Sequence, residues 1–239
     1  MEIIFLVLLT FVATAVGTIT SFGSATIMVP TLSLFYNFNP VLLFTGVIHA
    51  LGNIGKIVFF KSGIKWRLIL LFGVPGILLS YLGSLLIPVL PTNLILRVLG
   101  AVIIVYVLIA VRNTKLNLPK NDATALIAGS LSGMSAGVFG VQGVIRTMFL
   151  SSLDLKKDVF LFTAGALGFV IDFSRLLGYW QNGFTLDNSL SIGLIISIPF
   201  SFLGSYMGKK LVDKIPQKKF RYVVAAALFI VSLRYLIWG

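Results

Sequence analysis

The sequence predicts an all-α polytopic membrane protein made of two inverted-topology repeats of five helical segments. That is about eight to ten segments in total, with short or re-entrant broken helices near the membrane midplane. Three observations predict this fold. Apolar residues dominate, a set of short motifs occurs twice in the same order, and the basic residues fall in alternate loops.

Hydrophobic residues make up 58% of the 239 and charged residues 11%, with a mean hydropathy of +1.04. A soluble domain is nearer half apolar and a quarter charged. Blocks such as "LILLFGVPGILLSYLGSLLIPVL", Leu68 to Leu90, carry no charge and exceed the about 20 residues a spanning helix needs. The absence of cysteine excludes disulfides, thiolate metal sites and cysteine nucleophiles. One histidine and seven carboxylates leave little material for a metal cage, and no cofactor is expected. The opening "MEIIFLVLLTF" has no basic n-region and no small-residue cleavage pattern, so it is expected to be the first helix rather than a cleaved signal.

Hydropathy places segments at 3–20, 24–36, 40–60, 68–88 and 92–111, then at 123–138, 142–152, 159–178, 187–208 and 222–238. The charged stretch "VRNTKLNLPKND", Val111 to Asp122, divides them. A first repeat occupies 1–112, a cytoplasmic linker 113–121, and a second, inverted repeat 122–239. The two halves match in order. "SFGSATIMVP" answers "VFGVQGVIRT", with Phe22-Gly23 opposite Phe139-Gly140. "NIGK", Asn53 to Lys56, answers "DFSR", Asp172 to Arg175, and "SYLGSLL" answers "SFLGSYM" with Gly83 opposite Gly204.

Five crossings per half is an odd number, so the second copy is expected to be inverted against the first. The charges agree. Lys61, Lys65 and Arg67 follow the third segment, Arg112, Lys115 and Lys120 the fifth, and Lys156 and Lys157 precede the eighth. Six more, from Lys209 to Arg221, precede the tenth, so 14 of the 19 basic residues lie on one side. The alternate loops "YNFNP", "PVLPTN" and "YWQNGFTLD" hold none. The positive-inside rule makes the basic side cytoplasmic and places both termini outside the cell. Topology thus accounts for most of the formal charge of +12, and nucleic acid is dropped as a partner.

Segments 2 and 7, with 13 and 11 residues, reach roughly 20 and 16 Å against a hydrocarbon core of about 30 Å. Two readings stay open, a full crossing or half of a re-entrant hairpin paired with segment 1 or 6. The parity argument survives either one.

Broken backbone is tolerated in a bilayer only where protein buries it or a watery cavity meets it. Paired interruptions in inverted repeats are the sequence pointer to a transporter's central site. Segment 2 is expected to begin near Gly23-Ser24 and segment 7 near Val141-Gln142-Gly143. Both helix starts would then aim free N–H groups and partial positive charge at the midplane, which suits a small anion. Gly23, Gly140 and Gly143 are assigned to this site. For Gly17, Gly129, Gly133 and Gly137, a site role and close helix packing both remain open.

Intramembrane charges are costly and are usually functional or paired. Arg146, one turn past Gly143, can offer bidentate geometry to an oxyanion, with Gln142 as its amide neighbour. Arg175 lies one turn after Asp172, where an internal salt bridge competes with a role in substrate binding or gating. His49, Asn53 and Lys56 form a polar stripe on the third segment, and Lys56 has no carboxylate near it in sequence. His49 is read two ways, as a proton relay coupling transport or as a structural hydrogen-bonder. Arg97 and Arg234, nearer helix ends, are expected to snorkel. The hydroxyls of Thr20, Ser21, Ser24, Ser132 and Ser135 can donate to an anion or back-bond to their own helix. Ser21 and Ser24 join the candidate substrate-binding set.

The duplicated element "GTITSFGSATIMVPTL" and "GMSAGVFGVQGVIRTMFL", with the later "YLGSLL" and "FLGSYMG", resembles the TauE/SafE sulfite-exporter family over nearly the whole chain. That family carries a richer glycine run and a proline in both copies. Here Ser24-Ala25 stands in the first copy, and Arg146-Thr147 replaces the proline region of the second. The resemblance implies a cell-membrane permease exporting sulfite, sulfonates or related sulfur oxyanions. The residues by themselves require only a small-molecule anion; the lipid bilayer is the other expected partner, with protons or another coupling ion as an open candidate.

An anion channel, or a permease for sulfate, thiosulfate or a carboxylate, is the alternative. An enzyme is not expected, because no HExxH, GxSxG or paired-aspartate arrangement occurs. The chain has no P-loop, so transport would draw on an ion gradient or on the substrate's own gradient.

Overall fold

Long apolar runs that must satisfy their own backbone in lipid fold as helices, and the chain does so throughout. The computed structural model describes residues 1–20, 22–60, 65–112 and 118–211, and near the C-terminus 229, 232, 233 and 235–237. Nine helices are delimited among the described residues: α1 (Glu2–Thr20), α2 (Ala25–Leu32), α3 (Phe38–Phe60), α4 (Trp66–Leu86), α5 (Thr92–Arg112), α6 (Asp122–Phe139), α7 (Gly143–Ser151), α8 (Lys157–Gln181) and α9 (Asn188–Leu211). A short 3-10 turn, Ile87–Val89, extends α4. The described residues from 229 to 237 are helical as well. Most of the expected tenth segment, with Arg234, lies outside the described residues.

Five of these helices, α1, α3, α4 with its turn, α8 and α9, are long and apolar enough to cross a membrane. The protein is a polytopic α-helical membrane protein. The two short helices are shorter than expected, because residues 33–36 turn and only 25–32 stay helical. At 8 and 9 residues, α2 and α7 reach about 12 and 14 Å, so neither crosses a bilayer alone.

Small residues set the packing, as expected where lipid offers no hydrophobic drive between helices. Along the α4–α6 seam a Cβ at Gly133 would lie 2.2 Å from the Gly76 carbonyl oxygen, and one at Gly137 2.3 Å from that of Ser80. Gly129 meets the Phe72 carbonyl in the same way. These three glycines are therefore packing positions. Gly204 and Gly208 do the same work between α9 and α1, against the carbonyls of Phe11 and Ala15. Gly17 differs, since it lies against the backbone of Gly23 and Ser24, inside the first break.

The packing pairs exchange when the halves are exchanged. Helix α1 packs on α9 as α6 packs on α4, while α3 and α8 pack on each other at the centre. Gly165 of α8 lies against Lys56, and Gly46 of α3 lies against Arg175 and Leu176. This central crossing positions the site.

Candidate anion site

Spacing places the polar groups. His49, Asn53 and Lys56 are separated by four and three residues, so α3 carries them on one face. On α8, Asp172, Arg175 and Tyr179 share a face for the same reason. Gln142 is the N-cap residue of α7, and Arg146 follows one turn on.

All of these groups meet around a single carboxylate. Asp172 Oδ2 is 2.7 Å from His49 Nδ1 and accepts a hydrogen bond from Asn53 Nδ2 at 2.9 Å. Asp172 Oδ1 accepts from Gln142 Nε2 at 2.8 Å and from Arg175 Nε at 2.9 Å. Arg175 Nη2 is also 2.8 Å from Oδ1, but it makes no aligned hydrogen bond. The Nε bond therefore carries the pairing. The contact with Asp172 favours the neutral tautomer of His49 with its proton on Nδ1. Nε2 then has no partner. It faces the first break, where a Cβ on Gly23 would come within 2.2 Å of it.

The cations are unequal. Arg175 is held by Asp172, and its guanidinium carbon lies 5.9 Å from the Tyr179 ring centroid. Lys56 Nζ reaches only the amide oxygen of Asn53, at 3.3 Å. Among the described residues Arg146 has no hydrogen-bond partner on Nε, Nη1 or Nη2, and it is 0% exposed. A guanidinium buried in that way costs several kcal/mol unless a counter-charge joins it.

The breaks supply the frame. Gly23 and Gly140, matched in the sequence, both adopt left-handed backbone, with φ of 83° and 72°. Gly140 ends α6 with its N–H on the Ala136 carbonyl, and Gly23 N–H reaches back to Gly17. The two breaks touch, since a Cβ on Gly143 would fall 1.4 Å from the carbonyl oxygen of Phe22. The start of α7 is thus covered on that side by the other break's backbone. Ser24 caps α2 with a buried hydroxyl that makes no hydrogen bond.

Arg146, Gln142, His49, Asn53, Lys56, Asp172 and Arg175 come together, and Gly23, Gly140, Gly143 and Ser24 line the breaks beside them. Ser21 lies outside the described residues. Arg97 is exposed, as snorkelling requires. Thr20 back-bonds to Val16, but Ser132 and Ser135 do neither thing expected of them. They donate to the carbonyls of Gln142 and Val141 at 3.2 and 2.5 Å, clipping the second break to α6. Lys56 is linked to Asp172 of α8 only through the Asn53 amide, which bonds both.

Three contributors were not anticipated. A Cβ on Gly168 would lie 2.3 Å from Arg146 Nη1 and 2.4 Å from Asn53 Nδ2, so this glycine makes the room in which those two groups stand. Gly165 lets Lys56 approach α8. Tyr179 donates to the carbonyls of Ala136 and Gly137 at the end of α6. The "NIGK"/"DFSR" alignment held a signal for the glycines. Extended upstream, it sets Gly165 opposite Gly46 and Gly168 opposite His49.

A family model described as "Sulfite exporter TauE/SafE" matches residues 6–235. No curated protein matches the chain. The chain belongs to the TauE/SafE family, and with it to the multi-pass membrane transporters.

Proposed function

We propose that this TauE/SafE family member is a secondary permease that moves a small sulfur oxyanion, foremost sulfite, out of the cell. The observation that carries this reading is Arg146. Its guanidinium is fully buried, offers hydrogen-bond donors on three nitrogens and meets no acceptor among the described residues. An oxyanion of three or four oxygens matches that planar fork.

The burial of the same groups supports alternating access. None of the seven polar groups around Asp172 is more than 3% exposed, so the site is closed to both sides. A channel needs a continuous lining, whereas a carrier passes through such a closed state. The halves, related as inverted repeats with basic loops in the cytoplasm and both termini outside, would rock about the α3–α8 crossing. That rocking would open the Asp172 cluster to one face at a time. Asp172 holds the two halves together at this crossing, because its Asn53 partner sits at the matching position 119 residues earlier. Breaking and remaking these bonds is the gating step, with the free Nε2 of His49 available for a coupling proton.

The test is flux in proteoliposomes. Sulfite uptake should show counterflow against internal sulfite, and Arg146→Ala should abolish it while remaining folded and inserted. Flux without counterflow, with conductance linear in voltage, would make the protein a channel. Unchanged sulfite binding in Arg146→Ala would remove Arg146 from the site.

A further inference from the structure

We infer that the buried site selects dianionic oxyanions over monoanions of the same shape. This inference rests on the proposed anion site and narrows its substrate class. It follows from how the interior charges are paired, not merely counted.

Among the described residues, the fully buried ionic groups are Lys56, Arg146, Arg175 and Asp172, with His49 beside them. The remaining groups beside the cluster are neutral: Ser24 at the α2 start, Gln142 at the α7 start and the Tyr179 hydroxyl on α8. Asp172 therefore faces three buried cations. It divides unequally among them, because Arg175 takes a direct bond on Oδ1 while His49 and Asn53 take Oδ2. Neither Lys56 nor Arg146 is within hydrogen-bond distance of the carboxylate.

Asn53 keeps them apart. Its amide nitrogen is turned to Asp172 and its amide oxygen to Lys56 Nζ, so a neutral group stands between the ammonium and the only buried acid among the described residues. Arg146 Nη1 stands beside the Asn53 amide nitrogen, in the room left by Gly168. One carboxylate and one arginine thus neutralise each other, and two cations next to the Asn53 amide are left for the ligand. A low-dielectric interior magnifies each uncompensated charge. A dianion neutralises both cations, whereas a monoanion leaves one buried and bare.

Sulfate and methanesulfonate share a tetrahedral shape and differ by one charge, a methyl replacing an oxygen. We expect the purified full-length protein in nanodiscs, titrated calorimetrically at constant ionic strength, to bind sulfate at least tenfold more tightly than methanesulfonate. Lys56→Gln should reduce that ratio to near one, mainly by weakening sulfate, while Lys56→Arg should retain it. Lys56→Arg also serves as the control should Lys56→Gln fail to fold. Methanesulfonate binding as tightly as sulfate in the unmodified protein, or an unchanged ratio in folded Lys56→Gln, overturns the inference alone. If sulfite, sulfate and methanesulfonate all fail to bind, the anion site itself is overturned, and this inference with it.

Discussion

The two breaks share a backbone and differ in their side chains. Each carries a left-handed glycine just before a short helix restarts, with α2 packing on α3 and α7 on α8. The first, α2, reads ATIMVPTL and carries no charge. The second, α7, reads GVIRTMFLS, with Arg146 where the alignment of the halves puts Val29. Val29 is a buried core residue of the first helix, and Arg146 a buried cation of the second. Their surroundings differ in step. Gly23 backs onto the open nitrogen of His49, whereas Gly140 backs onto Leu42 and the paired Arg175. One backbone device thus serves as a wall on one side and as a ligand arm on the other. The fold needs both breaks, but only one of them carries charge.

The largest effect should come from the point where the breaks meet. Gly143→Ala forces a methyl onto the Phe22 carbonyl, backbone against backbone, where overpacking costs more than about 3 kcal/mol. Thermal unfolding in detergent should show loss of the folded protein. A stable, active Gly143→Ala would mean that the breaks do not touch.

Next comes Arg146→Ala, expected to weaken sulfite by roughly 30-fold or more, as the loss of a buried charge partner worth about 2–5 kcal/mol implies. Val29→Ala, the matched change in the first break, should leave sulfite affinity within about threefold and lower stability instead, by about 1–3 kcal/mol. Calorimetry on the pair separates the ligand arm from the wall. Equal losses of affinity would make the breaks functionally symmetric.

Gly168→Ala should mimic Arg146→Ala in flux assays, because its methyl takes the space of Nη1 and of the Asn53 amide. Wild-type transport in that variant would show that Arg146 does not depend on the room beside α8. Gly23→Ala and Gly140→Ala share a left-handed strain of about 1–3 kcal/mol, yet Gly23→Ala also strikes the His49 ring. It should slow transport more than Gly140→Ala at equal stability, and the reverse order would reverse the assignment of the two walls.

The smallest effect is Ser135→Ala. It removes one clip on the Val141 carbonyl and should cost about 1 kcal/mol of stability. Sulfite affinity, read in the same titration, should change little, and a large loss would give the hydroxyl a direct part in binding.

Much of this was legible in the sequence. Helix positions came from apolar run length, and both breaks from glycines in matched motifs. Gly23 and Gly140, matched in the sequence, turned out to share a left-handed backbone. The face of α3 bearing His49, Asn53 and Lys56 followed from helical spacing alone. Helical period and glycine freedom are local properties, written within a few residues, and the sequence by itself determined them.

What it could not determine was who pairs with whom. Asp172 was legible as a partner for Arg175, one turn away. Its bonds to His49, Asn53 and Gln142 cross between helices and depend on how α3, α7 and α8 are set against one another. Gly168 looked like any membrane glycine until its missing side chain proved to be the space beside Arg146. Ser132 and Ser135 looked like candidate ligands until the packing turned them onto the break's own carbonyls. The tertiary structure decided these roles for one physical reason. The energy of a buried polar group depends on the atoms within about 3 Å of it, and around Asp172 most of those atoms come from other helices.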